Sequence, residues 1–222
     1  MSVASPARSG YAAGARAVAP LIVPAMAFGA AFGVLARAAG MGVAAPLVMS
    51  ATTFGGSAQF AAASILGAGG QAAAAVAAAL TLNARYGPIG VSVADGFEGP
   101  RWKRFVRAQM IVDESWAVSR VGDRFDTARL VGAGLLLYVV WNLGTLLGVT
   151  LGDLLGDPER LGLDAAFPAL FLALVVPLVR SRSAFAAALT GAAIAAVLVP
   201  VASPGIPVVA ASAAVVLGWW SR

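Results

Sequence analysis

Histidine and cysteine are both absent from the 222-residue chain. Without cysteine there are no disulfides and no thiolate metal sites. Without histidine, the commonest general base and the commonest metal ligand are missing. The apolar segments hold no cluster of carboxylates either, so we expect no catalysis, no bound metal and no cofactor. Any proton chemistry is left to Asp, Glu, Lys, Arg or Tyr.

Charged residues are also scarce. They make up 11% of the chain, against 60% hydrophobic residues, and the mean hydropathy is +0.87. This leaves too little polar surface to cover a soluble core, and the composition predicts an all-α integral membrane protein in a lipid bilayer. In that setting the net charge of +5 reports on membrane topology and is no sign of nucleic-acid binding.

Apolar segments of roughly membrane-spanning length recur along the chain, and they predict about seven transmembrane helices in a single domain covering residues 1–222. The fifth and seventh are short, and whether they cross fully stays open. A polar stretch at 95–129 separates the third segment from the fourth. The predicted spans are roughly 17–36, 44–67, 72–94, 130–152, 165–179, 183–203 and 205–220.

Basic residues then set the orientation. With seven crossings and the N-terminus outside, eleven of the fifteen basic residues lie inside, as the positive-inside tendency requires. This orientation makes the stretch 95–129 cytoplasmic and places the C-terminus inside. Arg8 and Arg16, in the N-terminal tail, count against it.

The second segment carries polar residues and glycines in "GGSAQF" (55–60). Ser57 and Gln59 are two positions apart, so a regular helix would point them to nearly opposite sides. One interpretation is a helix break at Gly55–Gly56, whose new N-terminus would attract a carboxylate. The other is that the glycines only permit close packing.

The third segment contains "NARYGPIG" (83–90), which places Asn83 and Arg85 near mid-span. Pro88 removes a helix hydrogen bond and crowds the carbonyl of Ala84, and this predicts a second break near Gly87–Pro88. An arginine inside the membrane is costly, so it should face the interior and have a partner. That partnership can be functional or purely structural.

Asp113 and Glu114, in "VDES", are the candidate partners of Arg85 and the candidate proton-coupling groups. Both roles need residues 107–121 to fold inward; the alternative is a solvated loop. Asn142 and Thr145, one turn apart, form another polar face, which can bind substrate or join helices. The candidate substrate-binding residues are Gly55, Gly56, Ser57, Gln59, Asn83, Arg85 and Asn142.

Small residues at helical spacing indicate close helix packing. Gly29 and Gly33 form one GxxxG motif, and Gly144, Gly148 and Gly152 extend a second. Such motifs serve packing within one chain or contact with a partner chain.

These residues resemble the AzlC family, the large subunit of bacterial branched-chain amino acid permeases and exporters. The "GSAQF", "N-x-R" and "DES" blocks occur in family order, with further matches over most of the chain. The family usually has histidine after the arginine of the second block, where this chain has Tyr86. The matching stretches are "PAMAFGAAFGVLARAAG", "VMSATTFGGSAQFAAASIL", "LTLNARYGPIGVSV", "VDESWAVS", "WNLGTLLG" and "GLDAAFPALFLALV".

The resemblance implies a two-component secondary transporter of the bacterial inner membrane, with a small AzlD-type membrane subunit as partner. It implies leucine, isoleucine or valine as substrate, exported at the expense of the proton gradient. The alternatives are a non-transporting assembly subunit and a channel for small polar solutes.

Overall fold

The structure is a computed structural model that describes residues 6–122, 124–155 and 179–215, together with 172, 175 and 176. For residues 6–9 and 153–155 it describes the backbone alone. The described helices are α1 (Pro6–Val18), α2 (Ile22–Ala38), α3 (Ala44–Thr52), α4 (Gly56–Gly67), α5 (Ala72–Asn83), α6 (Tyr86–Val93), α7 (Arg101–Ala108), α8 (Asp113–Ser119), α9 (Thr127–Leu155), α10 (Arg182–Leu198) and α11 (Ile206–Ala211).

The described chain is helical, as predicted, apart from one small antiparallel hairpin. Strand β1 (Arg120–Val121) pairs with β2 (Arg124–Phe125), with Arg120 opposite Phe125. Two helices of the described part are long and apolar enough to cross a membrane, Gly10–Ala38 and Thr127–Gly152. The first of them joins α1 to α2 through a 3-10 turn at Ala19–Leu21.

These two long helices pack side by side and run parallel. Gly10 lies beside Ala128 at the start of α9, whereas Val34 lies beside Gly152 near its end. A β-carbon on Gly29 would come within 2.5 Å of the Trp141 carbonyl oxygen. The GxxxG motifs of α2 and α9 therefore let the two backbones touch, which confirms packing within one chain.

Helices α3 and α4 form a hairpin that enters the bundle and leaves at the same end. Going inward along α3, Ser50 reaches Thr145, and Phe54, just past its end, packs on Tyr138. Coming back along α4, Gly67 reaches Ala39, just after α2. The chain turns at residues 53–55, between the two helices.

Helices α5 and α6 then carry the chain to the opposite end. Asn83, at the end of α5, lies against Gly55 in the middle of the bundle. Gly96, just after α6, lies against Thr127 at the start of α9. Because Ala84 and Arg85 between the helices keep right-handed helical dihedrals, the interruption here is mild.

Helices α7 and α8 form a second hairpin, which enters from that opposite end. Met110 lies against Gly134, and Val112 packs with Phe54 and Leu137 in the interior. On the return path, the Trp116 indole N–H donates to Ser92 Oγ at 3.0 Å. The inward fold of residues 107–121 is thus the interpretation that the structure supports.

Both predicted helix breaks are present. The first lies at residues 53–55, immediately before Gly56, as predicted. The second falls at Ala84–Arg85, slightly before Gly87–Pro88. Pro88 is the third residue of α6, where its missing N–H leaves no helix bond unmade.

The arrangement of the segments differs from the predicted topology. Segment 44–67 turns back at its break, and neither of its two halves is long enough to span a membrane alone. Arg37 lies at the end of the bundle opposite the stretch 95–129, whereas the predicted topology places both on one side. The seven-span count stays a prediction, since most of 165–179 and the end of 205–220 lie outside the described residues.

Candidate functional site

A cavity of about 220 Å³ lies where the two hairpins meet. One part of its wall is apolar, and the other carries Ser57, Arg85, Tyr86, Asp113 and Glu114. Of the nine candidate site residues, the cavity brings together Gly56, Ser57, Arg85, Asp113 and Glu114. The remaining wall residues are Leu21, Pro24, Ala25, Phe28, Phe54, Val112, Leu137 and Trp141.

Arg85 is paired, as the sequence predicts. Its Nη2 lies 2.9 Å from Asp113 Oδ2 and 3.2 Å from Tyr86 Oη. The guanidinium carbon stands 5.0 Å from the centre of the Tyr86 ring, a cation–π distance. Both side chains of the ion pair remain partly accessible, at 37% for Arg85 and 45% for Asp113. The second hairpin therefore neutralises the charge that α6 brings into the interior.

Glu114 stands beside this pair at the start of α8. It lines the cavity and stays accessible to solvent on one side. Desolvation by the neighbouring protein atoms raises the pKa of the Glu114 carboxyl above its ordinary value. A hydrogen bond within its own residue opposes the rise, Asp113 adds to it, and Arg85 lowers the pKa again. Glu114 thus favours the protonated form more than a surface carboxyl does.

The opposite wall is formed by the start of α4. Gly55 precedes the helix and offers no side-chain cap, and the ladder begins with Gln59 N–H donating to the Gly55 carbonyl at 2.9 Å. Ser57 is 5% exposed, and its Oγ has no hydrogen-bond partner. The Trp141 Nε1 is likewise buried without a partner. The Ser57 hydroxyl and the Trp141 indole N–H of this wall can therefore each donate a hydrogen bond to a ligand.

The backbone carbonyls left free at the end of α3 accept hydrogen bonds from side chains that are distant in sequence. Tyr138 Oη donates to the Ala51 carbonyl at 2.8 Å, and Gln109 Nε2 donates to the Thr52 carbonyl at 2.6 Å. Phe54 is the one non-glycine residue with positive φ, at 39°, in the described part of the chain. Strain of this kind costs roughly 1–3 kcal/mol and persists only where the surroundings impose it. The break is a built feature of the fold.

Gln59 lies away from the cavity, in a buried chain of hydrogen bonds. Its Nε2 donates to Ser50 Oγ at 2.7 Å, Ser50 Oγ lies 2.9 Å from Thr145 Oγ1, and Thr145 Oγ1 donates to the Trp141 carbonyl at 3.0 Å. Gln59, Ser50 and Thr145 have no exposed surface. This chain joins α3, α4 and α9, and its geometry is that of interhelical bonding.

Gly55, Asn83 and Asn142 also lie outside the cavity wall. A β-carbon on Gly55 would approach Asn83 Oδ1 to 2.6 Å, and one on Gly56 would approach the Trp141 ring to 2.8 Å. Asn142 Nδ2 donates to the carbonyl of Tyr138, one turn earlier, at 2.9 Å. The glycines of the "GGSAQF" block therefore serve close packing as well as the helix break.

Several residues at the site were not singled out from the sequence as substrate contacts or break supports. Pro24, Phe28, Leu137 and Trp141 belong to apolar helix faces, and no local pattern distinguishes them from lipid-facing neighbours. Tyr138 and Gln109 support a break that is distant in sequence. The available signal is weak: a polar side chain within or beside an apolar run needs a partner.

In a comparison with protein families, the family model described as "AzlC protein" matches residues 20–155. No curated protein and no solved structure matches the chain. The matched range includes every candidate site residue and the whole cavity wall. Together with the long apolar helices, the match indicates a membrane protein related to branched-chain amino acid transport. The chain belongs to the AzlC family.

Proposed function

We propose that this protein is the large subunit of a secondary transporter that exports leucine, isoleucine or valine across the bacterial inner membrane in exchange for protons. The observation that carries the proposal is the cavity at the meeting point of the two hairpins, which combines charges of both signs with an apolar wall. A branched-chain amino acid has the same three features: a carboxylate, an ammonium group and an aliphatic side chain.

Charge balance within the cavity supports a zwitterionic ligand. Arg85 and Asp113 neutralise each other, which leaves Glu114 as the unpaired charge of the wall. The ammonium group of an amino acid would compensate Glu114. The aliphatic side chain would lie against Phe28, Leu137 and their apolar neighbours, where burial is favourable.

The same carboxyl offers a means of proton coupling without histidine. A proton and the substrate ammonium would compete for Glu114, so that binding one releases the other. Competition of this kind couples the two fluxes in opposite directions, which is what proton-driven export needs. The raised pKa of Glu114 supports this role, since its protonated form is populated closer to neutral pH.

The two hairpins suit alternating access. They enter from opposite ends of the bundle, and each places a helix start at the cavity. Interrupted helices that meet at a central site recur in secondary transporters. A rearrangement of one hairpin would open the cavity to one side without disturbing the other.

The parallel long helices support an orientation opposite to the one predicted from charge counting alone. The starts of α1 and α9 lie at the same end of the bundle as the basic helix α7. The positive-inside tendency then places that end, and the N-terminus with it, in the cytoplasm. Arg8 and Arg16, which count against an outside N-terminus, agree with a cytoplasmic one.

The small AzlD-type subunit is proposed as partner from the family resemblance. Vesicles containing the large subunit with and without the small one test this, with labelled leucine, isoleucine, valine and methionine and an imposed pH gradient. We expect saturable flux of the branched-chain substrates that follows the gradient. Flux that never saturates would indicate a channel, and no flux with either composition would indicate an assembly subunit.

A further inference from the structure

We propose that the start of α4 is the carboxylate-binding subsite of the cavity, formed by its free backbone N–H groups and the hydroxyl of Ser57. This inference rests on the proposed function, and it decides which end of the cavity holds which end of the amino acid. Arg85, the obvious cation, is then not the group that binds the substrate carboxylate.

Helix α4 begins at the cavity, whose wall includes Gly56 and Ser57. It is 12 residues long, and no side chain caps it. Its first intrahelical bond uses the N–H of Gln59, so the N–H groups of Gly56, Ser57 and Ala58 are the ones that a helix start leaves without intrahelical partners. Such a start carries positive partial charge and favours an anion.

Ser57 supplies the independent observation. Its side chain is 5% exposed, its Oγ has no hydrogen-bond partner, and it forms part of the cavity wall. A buried hydroxyl without a partner is unfavourable, because it has lost water and gained nothing. A ligand carboxylate oxygen would accept its hydrogen bond. Phe28, Phe54 and Trp141 in the same wall make the surroundings of Ser57 apolar, which would strengthen that bond.

Arg85 is already engaged. Its Nη2 lies 2.9 Å from Asp113 Oδ2 and within hydrogen-bond distance of Tyr86 Oη. A substrate carboxylate bound to Arg85, whose Nε has no partner, would share this single positive charge with Asp113 and lie close to Glu114, so that three carboxylates would surround one cation. Binding at α4 avoids this cost, and the substrate ammonium then faces Glu114.

Ligands that carry one half of leucine each test the subsite. 3-Methylbutanoate keeps the carboxylate and lacks the ammonium group, whereas 3-methylbutylamine keeps the ammonium group and lacks the carboxylate. Binding of leucine and of both probes is measured by calorimetry on the purified full-length protein. The variant is Ser57→Ala, and the matched control is Ser64→Ala, an exposed serine of the same helix outside the cavity wall.

We expect Ser57→Ala to weaken the binding of leucine and of 3-methylbutanoate by the same factor, about tenfold, because each carboxylate loses a hydrogen bond. The amine should bind as it does to the unchanged protein. The melting temperature should stay equal or rise, since the lost hydroxyl has no partner. Ser64→Ala should leave the affinity for all three ligands unchanged.

The proposal would be overturned if Ser57→Ala weakened the binding of the amine as much as that of leucine. It would also be overturned if Ser57→Ala left the affinity for leucine unchanged. Failure of the unchanged protein to bind either carboxylate would overturn it too. Loss of the proposed function looks different: vesicles would show no leucine flux, while 3-methylbutanoate would still bind in a Ser57-dependent manner.

Discussion

The hairpins α3–α4 and α7–α8 reach the same cavity from opposite ends and contribute opposite chemistry. The first is neutral and tightly held, with a buried amide–hydroxyl chain and side-chain donors on its broken backbone. The second carries Asp113 and Glu114 on an accessible wall. The two hairpins therefore differ in where their polar side chains lie: apart from Ser57, the buried ones of the first bond to neighbouring helices away from the cavity, and the carboxylates of the second line its wall.

Labelling of single cysteines tests most directly whether the two hairpins enter from opposite ends, because each thiol reacts from one side of the membrane or not at all. The chain has no native cysteine, so Val43→Cys, Gln71→Cys and Glu98→Cys each introduce the sole thiol. We expect the first two to react with an impermeant maleimide from one side and Glu98→Cys from the other. In a scheme where 44–67 crosses, Val43→Cys and Gln71→Cys would label from opposite sides.

Substitution of Arg85 by Gln should have the largest effect on transport. It leaves Asp113 unpaired in the cavity, where it would trap the substrate ammonium, and we expect a loss of about 30- to 100-fold in flux. The double variant Arg85→Gln/Asp113→Asn removes both charges and should recover flux to within about tenfold of the unchanged protein. No recovery would show that Arg85 itself contacts the substrate, and full flux in the single variant would remove it from the site.

Glu114→Gln should have an intermediate effect, and it should change the pH dependence. In the unchanged protein, raising the pH through the elevated pKa of Glu114 ionises the carboxyl, so leucine affinity should rise with pH. The charged groups around it are Arg85 and Asp113, with Tyr86 beside them. In the variant we expect affinity about tenfold weaker at high pH and nearly independent of pH. A pH profile that persists in Glu114→Gln would assign the proton to another group.

Gln59→Ala should have the smallest effect on function and a clear one on stability. It leaves Ser50 without its donor and opens a small space in the packed first hairpin, which costs about 2 kcal/mol and lowers the melting temperature by a few degrees. Leucine affinity of the folded protein should stay unchanged, since Gln59 lies outside the cavity wall. Weakened leucine binding at unchanged stability would show that Gln59 does contact the substrate.

Local chemistry in the sequence predicts the breaks and the charged pair. Glycines before Ser57 favour a helix break, Pro88 prevents α5 and α6 from forming one regular helix, and an arginine in an apolar run demands a partner. The sequence does not distinguish Gln59 from Ser57. Both are polar residues near one break, and only the packing of α3 and α9 gives Gln59 its partners while leaving Ser57 without any.

The direction of the segments is also beyond local pattern. Residues 44–67 are apolar and long enough to cross, so hydropathy alone predicts a crossing span. The turn at Phe54 is stabilised by Tyr138 and Gln109, which lie far away in sequence. Bonds of this kind decide whether a broken span continues or returns.

By itself the sequence determined that the protein lies in a lipid bilayer, where its helices break and which residue types are available for chemistry. Composition and backbone sterics act locally, so they can be read without the fold. The tertiary structure alone decided which polar groups face the cavity, that the two long helices run parallel, and that the second hairpin brings Asp113 to Arg85. Those outcomes depend on which distant surfaces pack together, and packing is a property of the whole chain.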